Sequence, residues 1–208
     1  MTFSAKYLLT ALILLPMPSF AQIAAAEVKD RDVVPVDEIV KGFYLSASAG
    51  PTLLFHPPAS SGPSPTSLGQ IVKIGFGYDF AERMSLGLFV AVTSNRAGTD
   101  YIGKSGGTAS GDFASLLPGA ELKVNLVGFQ DAIQVKRSWF YVKAGVGYLF
   151  LYPQALLPDR DIDALGGLGF EYFTHLRHFS IGLEALGMYW IRQKTYGVAL
   201  MPTLRYAF

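Results

Sequence analysis

From Gly42 to the last residue, Phe208, apolar residues take turns with small or polar ones. A period of two is the mark of a strand with two unlike faces. A helix cannot use it, because helical faces repeat every 3.6 residues. The clearest stretch puts Val72, Ile74, Phe76, Tyr78 and Phe80 on one face and Lys73, Gly75, Gly77 and Asp79 on the other. Half of the 208 residues are hydrophobic and only 16% are charged. Yet no stretch after the N-terminus approaches the roughly 20 apolar residues that a membrane-crossing helix needs. High apolar content carried by alternation is what strands facing lipid on one side produce.

About eight such runs follow one another. The first, Gly42 to Leu54, turns Phe43, Leu45, Ala47 and Ala49 to one face. The third turns out Met84, Leu86, Leu88, Val90 and Val92, and the fourth Ala120, Leu122, Val124 and Leu126. The fifth turns out Phe140, Val142, Ala144, Val146, Tyr148 and Phe150; the sixth Leu168, Phe170 and Tyr172. The seventh does so with Phe179, Ile181, Leu183, Ala185 and Tyr189, and the last with Val198, Leu200, Pro202, Leu204, Tyr206 and Phe208. Long connections (56–69, 94–112, 153–163) alternate in most places with short ones such as Ala81-Glu82-Arg83 and Thr174 to His178. Val127 to Ser138 is longer than a minimal turn, and its residues give no reason for the length. An even strand number with this rhythm is the pattern of a transmembrane barrel. The expected fold class is all-β, an antiparallel transmembrane β-barrel of about eight strands with up-and-down topology. Both termini then lie in the periplasm, with the long loops and the short 192–196 turn outside.

A soluble sandwich or lipocalin-like barrel would turn its apolar faces inward. Two features favour the lipid-facing alternative. The second face is rich in Gly, Ser and paired charges, which suits a narrow filled lumen. Aromatics also gather at strand ends, where amphipathic rings prefer the headgroup level. Phe43, Phe80, Trp139, Phe140, Tyr172, Phe173, Phe179, Tyr206 and Phe208 are assigned to a periplasmic girdle, and Phe55, Phe113, Phe150, Tyr152, Tyr189 and Trp190 to an outer one.

Residues 1–26 read as a secretory signal peptide. Lys6 is their only charge, Tyr7 to Leu15 form a short apolar core, and cleavage is expected after Ala21 or Ala26. Losing Lys6 leaves 16 basic against 16 acidic residues, so the mature chain is near neutral. Residues 27–41 are charged and lack a period, as a periplasmic N-terminal tail would, and the barrel occupies 42–208. The chain has no cysteine, which excludes a zinc–thiolate site, a thiol nucleophile and a disulfide within the chain. A net charge of +1 gives no support to a nucleic-acid partner, and none is expected.

The chain ends Leu204-Arg205-Tyr206-Ala207-Phe208. A terminal Phe with alternating apolar residues behind it resembles the insertion signal read by the bacterial barrel-assembly machinery, with Leu204, Tyr206 and Phe208 as the signal residues. Together with the leader and the strands, the chain resembles small eight-stranded bacterial outer-membrane proteins along almost its whole length. That resemblance implies an integral outer-membrane location, contact with outer-membrane lipid, and the assembly machinery as a partner during insertion. A looser resemblance, carried by the run of Val40 to Leu54 and by size, is to myxobacterial outer-membrane barrels of adventurous gliding motility. It implies other envelope or motility proteins as partners.

The residues that could carry chemistry are the inward charges: Lys73, Lys123, Lys143 and Arg205 with Asp79, Glu121, Glu171 and Glu184. A charge in a narrow lumen needs a partner, because desolvation is costly. These eight are read as a charge network that plugs the lumen; the alternative is a narrow path for ions or small apolar solutes. Glu121 and Lys123 lie two apart on one face and are assigned to one network. His178 and Ser180, also two apart, resemble the His and Ser of lipid A deacylase barrels, which opens a third reading, a lipid-modifying enzyme. The expected topology puts His178 at the periplasmic rim, away from the outer leaflet, so a polar turn is preferred and no catalytic residue is assigned. Asp159 to Asp163 is taken as a solvated acidic loop rather than a calcium site. The Gly-Lys-Ser within Gly103 to Gly111 lacks the strand and helix that a phosphate loop needs. No metal and no cofactor are expected. The leading function is a non-enzymatic structural or interaction barrel in a cell-surface assembly.

Overall fold

The computed structural model describes Ile39 and residues 41–56, 66–96, 101–102, 108–109, 112–131, 135–152, 160–176 and 178–208. The signal peptide, all but two residues of the 27–41 tail, and the Pro-rich loop 57–65 lie outside the described residues, as does all but Thr108 and Ala109 of the Gly103 to Gly111 segment. The described strands are β1 (Phe43–Phe55), β2 (Thr66–Ala81), β3 (Met84–Arg96), β4 (Tyr101–Ile102), β5 (Thr108–Ala109), β6 (Asp112–Gln130), β7 (Lys136–Tyr152), β8 (Arg160–Phe173), β9 (Phe179–Trp190) and β10 (Thr195–Ala207). Eight of them close into an antiparallel barrel in the order β1-β10-β9-β8-β7-β6-β3-β2, and β4 pairs only with β5. First and last strands meet at the closure. There the Phe208 N–H donates to the Phe43 carbonyl at 2.9 Å.

The wall is inside-out by the standard of a soluble protein. Ile74 is 61% exposed and Leu88 65%, whereas Lys73, beside Ile74 in the chain, is 3% exposed. Large exposed apolar side chains occur on all eight barrel strands. A soluble monomer rarely shows a contiguous apolar patch beyond a few hundred Å². Lipid is the solvent in which such a belt costs nothing, and closure removes the unpaired strand edges that lipid cannot satisfy.

Three features differ from the sequence expectation. The long 127–138 connection is mostly strand: β6 runs to Gln130 and β7 begins at Lys136. Register shifts at Asn125/Val127 and Phe129/Gln130 interrupt the pairing with β7, so Leu126 and Val127 both face out. A bulge erases the period of two and so hides a strand in the sequence. The acidic 159–163 stretch is likewise mostly strand, since β8 starts at Arg160, and Asp161 and Asp163 are buried. Asp161 accepts from the Arg192 and Gln193 N–H groups at 2.9 Å each, and Asp163 from Tyr189 N–H at 2.9 Å. Asp161 thus holds the β9–β10 turn and Asp163 the end of β9, and neither is solvated. Four of the girdle aromatics point the other way. Phe113, Trp139, Phe173 and Trp190 are all buried in the lumen. Adjacent strand residues alternate sides, so where Phe140, Tyr172 and Tyr189 face out, Trp139, Phe173 and Trp190 must face in.

Candidate functional site

Among the described residues the fold concentrates its charged side chains in the lumen, which has two storeys. The storey nearer the chain termini is ionic. All eight charges assigned to the interior by the sequence lie there. Lys73 and Lys143 each contact both Glu121 and Glu184: Lys73–Glu121 at 2.5 Å, Glu121–Lys143 at 3.1 Å, Lys143–Glu184 at 2.6 Å and Glu184–Lys73 at 3.4 Å. Four strands, β2, β6, β7 and β9, thus supply a closed ring of alternating sign. Glu184 is 1% exposed. Each carboxylate answers two ammonium groups, which is how a buried charge offsets its lost hydration.

Nearer the termini sits a second group. Lys123 pairs with Glu171, and Arg205 pairs with Asp79 and reaches Glu171 at 3.7 Å. Ser180 donates to Glu171 at 2.6 Å and Ser85 to Asp79 at 2.6 Å. Glu121 and Lys123, assigned to one network from their shared face, therefore pair into different ones. A two-residue step along a strand is about 7 Å, so each finds a closer partner across the barrel. Tyr141 bridges the groups. Tyr141 donates to Glu184 at 3.0 Å, and the Lys123 ammonium lies 4.4 Å from the centre of its ring. The Arg205 guanidinium stacks 3.9 Å from the centre of the Tyr44 ring. Cations over aromatic faces gain further when desolvated.

These rings lie flat against inward glycines. A Cβ on Gly77 would come within 2.4 Å of the Tyr44 ring, and one on Gly169 within 2.4 Å of the Tyr141 ring. The glycine-rich inner face is thus a seat for the tyrosines. Replacing Gly169 with Val should unseat Tyr141 and strip Glu184 of its hydroxyl donor. Overpacking of this kind costs about 1–3 kcal/mol. The expected result is a lower temperature for loss of the fast-migrating folded band on an unboiled gel.

The storey away from the termini is built on an apolar cluster, beside which Thr52, Asn95, Thr93 and Ser115 form a buried hydrogen-bonded chain. Leu54, Ile71, Phe89, Phe113, Leu117, Leu149, Leu151, Leu186, Met188, Trp190 and Met201 pack into one buried cluster across the lumen. The sequence reading missed this storey. Its signal was present: in the half of the strands away from the termini the alternation fades, as in Leu53-Leu54-Phe55 and Tyr148-Leu149-Phe150-Leu151-Tyr152. Between the charges lies a void of about 30 Å³, bordered by Tyr44, Lys73, Lys123, Tyr141 and Arg205. That is room for about two water molecules.

The remaining assigned residues lie outside or at the rim. Leu204, Tyr206 and Phe208 face outward, with Phe208 58% exposed. Tyr206 packs its ring against Phe179 and Phe208 at centroid distances of 5.0 and 5.2 Å. His178 stacks on Tyr206 at 5.3 Å, and its Nδ1 lies 2.6 Å from the Ala207 carbonyl. Ser180 is buried in the lumen on Glu171. The two residues therefore do not share a face. β9 begins only at Phe179, and the strand period does not extend back to His178. Among the described residues no three His, Asp or Glu side chains gather as a metal site would require.

No known family model matches the sequence, and no curated protein matches it either. Solved structures do match the fold. Neisserial surface protein A superposes with a TM-score of 0.61 at 15% identity, over 82% of this chain and all of that one. The outer-membrane protein OprG of Pseudomonas aeruginosa superposes with a TM-score of 0.52 at 14% identity, over 83% of this chain and 99% of that one. The chain has the fold of the small eight-stranded outer-membrane β-barrels.

Proposed function

We propose that this protein is an integral outer-membrane barrel, with both termini periplasmic, that serves as a structural or interaction component of a cell-surface assembly. The observation that carries this reading is the doubly closed lumen. A ring of ion pairs fills one storey, and an apolar cluster with the hydrogen-bonded chain of Thr52, Asn95, Thr93 and Ser115 fills the other. A conduit needs a continuous polar path, and a catalyst needs a cleft that a substrate can enter. The filled interior supports neither, and leaves the rim and the surfaces of the wall as the working parts. Partners are then outer-membrane lipid, the assembly machinery during insertion, and other envelope proteins. Of the surface assemblies, gliding motility is the one to which the sequence resemblance points.

The test is in-cell crosslinking in the native host, followed by pull-down and identification of what is bound. A defined set of envelope proteins, absent from a control barrel of equal size, is the expected result. Recovery of the insertion machinery alone would sink the assembly reading.

A further inference from the structure

Around the closed barrel two ladders have an internal gap: β6–β7 skips Leu117 and Pro118, and the wider gap lies in β1–β10. β1 and β10 pair from Tyr44↔Ala207 to Ser48↔Thr203 and again from Thr52↔Ala199 to Phe55↔Tyr196, but not at Ala49, Gly50 and Pro51. The cause follows from the register. The Phe208 N–H donates to the Phe43 carbonyl, so Phe43 and Phe208 form a hydrogen-bonded rung. Such rungs recur at every second residue in an antiparallel pair. In the same register, Ala49 with Pro202 and Pro51 with Leu200 are hydrogen-bonded rungs. Each contains a proline, on opposite strands, and proline has no N–H to give. Two successive rungs therefore lose a bond, and the Leu200 and Ala49 carbonyls lose their ladder donors. Leu200 instead presses its carbonyl against Gly50, where a Cβ would come within 1.9 Å of the oxygen. A Cα–H···O contact is worth about half of an N–H···O bond.

Two further observations fall at the same place. No turn joins β1 to β10, because they are the first and last strands of the barrel. On the lumen side, Gly50 stands opposite Met201 in this register, and Met201 is fully buried in the apolar storey. The β8–β9 ladder, by contrast, is continuous from Asp163↔Trp190 to Phe173↔Ser180.

We infer that the middle of the β1–β10 seam is a built-in weak point at which the wall opens locally, baring Met201, while the ion-pair ring beneath stays closed. This goes beyond the proposed function and does not depend on it. The native chain has no cysteine, so a single introduced thiol reports cleanly. Met201→Cys and Leu186→Cys are compared in phosphatidylcholine vesicles with a bilayer-permeant maleimide. Both positions are buried, but Leu186 lies away from the seam, on β9. Each lost backbone bond shifts an opening equilibrium about fivefold, so Met201→Cys should label about twenty- to thirtyfold faster than Leu186→Cys. Adding Pro51→Val and Pro202→Val, which restore both donors, should bring the two rates together. Equal inertness of the two thiols, or fast labelling of Met201→Cys that ignores the prolines, would overturn the inference. Hydrogen exchange on the unaltered protein gives a mutation-free reading. Peptides covering 49–54 and 199–204 should exchange ahead of those from the middle of β8 and β9, and uniform protection around the barrel would overturn the inference as well.

Discussion

Replacing Glu184 with Gln should be the most damaging single change that leaves side-chain volume nearly untouched. The substitution removes one carboxylate that answers two ammonium groups, Lys73 at 3.4 Å and Lys143 at 2.6 Å, and that accepts from Tyr141. Removing one partner of a buried ion pair costs about 3–5 kcal/mol, because the charge left behind is neither solvated nor paired. Glu121 keeps both lysines within reach, at 2.5 and 3.1 Å, so the loss should fall at the lower end of that range. Urea unfolding in detergent micelles, read by tryptophan fluorescence, should show an earlier midpoint with an unchanged slope. Replacing the ring as a whole tells more. Changing Lys73 and Lys143 to Met together with Glu121 and Glu184 to Leu should recover most of the lost stability, since well-packed apolar groups often replace buried ion pairs without penalty. A quadruple variant as weak as Glu184→Gln would mean that the ring does more than fill space.

Phe89→Ala should be nearly as costly, for a different reason. Phe89 is 3% exposed, packs in the apolar storey, and lies 5.0 Å beneath the Lys73 ammonium. It stands where the two storeys meet. Its ring also fills the space before Gly119, whose Cβ would come within 2.5 Å of it. Truncating a buried Phe costs about 3–5 kcal/mol, part of it for the cavity left behind. The same variant tests closure. Planar-bilayer recording of the unaltered protein should be silent, and Glu184→Gln should be silent too, because the apolar storey still blocks the axis. Discrete openings should require loss of both seals, as in Phe89→Ala with Glu184→Gln. Steady conductance from the unaltered protein would return the narrow-channel reading to first place.

Much of the fold was legible because lipid and lumen impose unlike demands on alternate residues. Each of the eight charges of the ionic storey stood out by parity alone, and Lys73 between Val72 and Ile74 is the simplest case. What parity cannot supply is pairing across the barrel. Glu121 and Lys123 share a strand face, yet their partners come from β2, β7 and β8, which no local spacing foretells. Parity also fails when both faces are apolar. In Tyr148-Leu149-Phe150-Leu151-Tyr152 either set could face lipid, and the choice is made by counting back from Lys143. The assignment of Trp139, Phe173 and Trp190 to the girdles went wrong in the opposite way, by weighing residue type over parity. At Leu126 and Val127 the bulge broke the count itself.

The length of the strands has a consequence for the shape of the barrel's far end. β7 has 17 residues, which at about 3.3 Å each and a tilt near 40° carry the wall roughly 43 Å along the barrel axis. The apolar band of such barrels is only about 25 Å tall. With the termini end set at the inner surface, the surplus stands clear of the hydrocarbon as a stiff parapet, braced from within by the packed side chains of the apolar storey. A docking protein would then meet a preformed rim of strand backbone rather than loose connections alone. Little ordering entropy would be lost there, so even a modest contact area could hold.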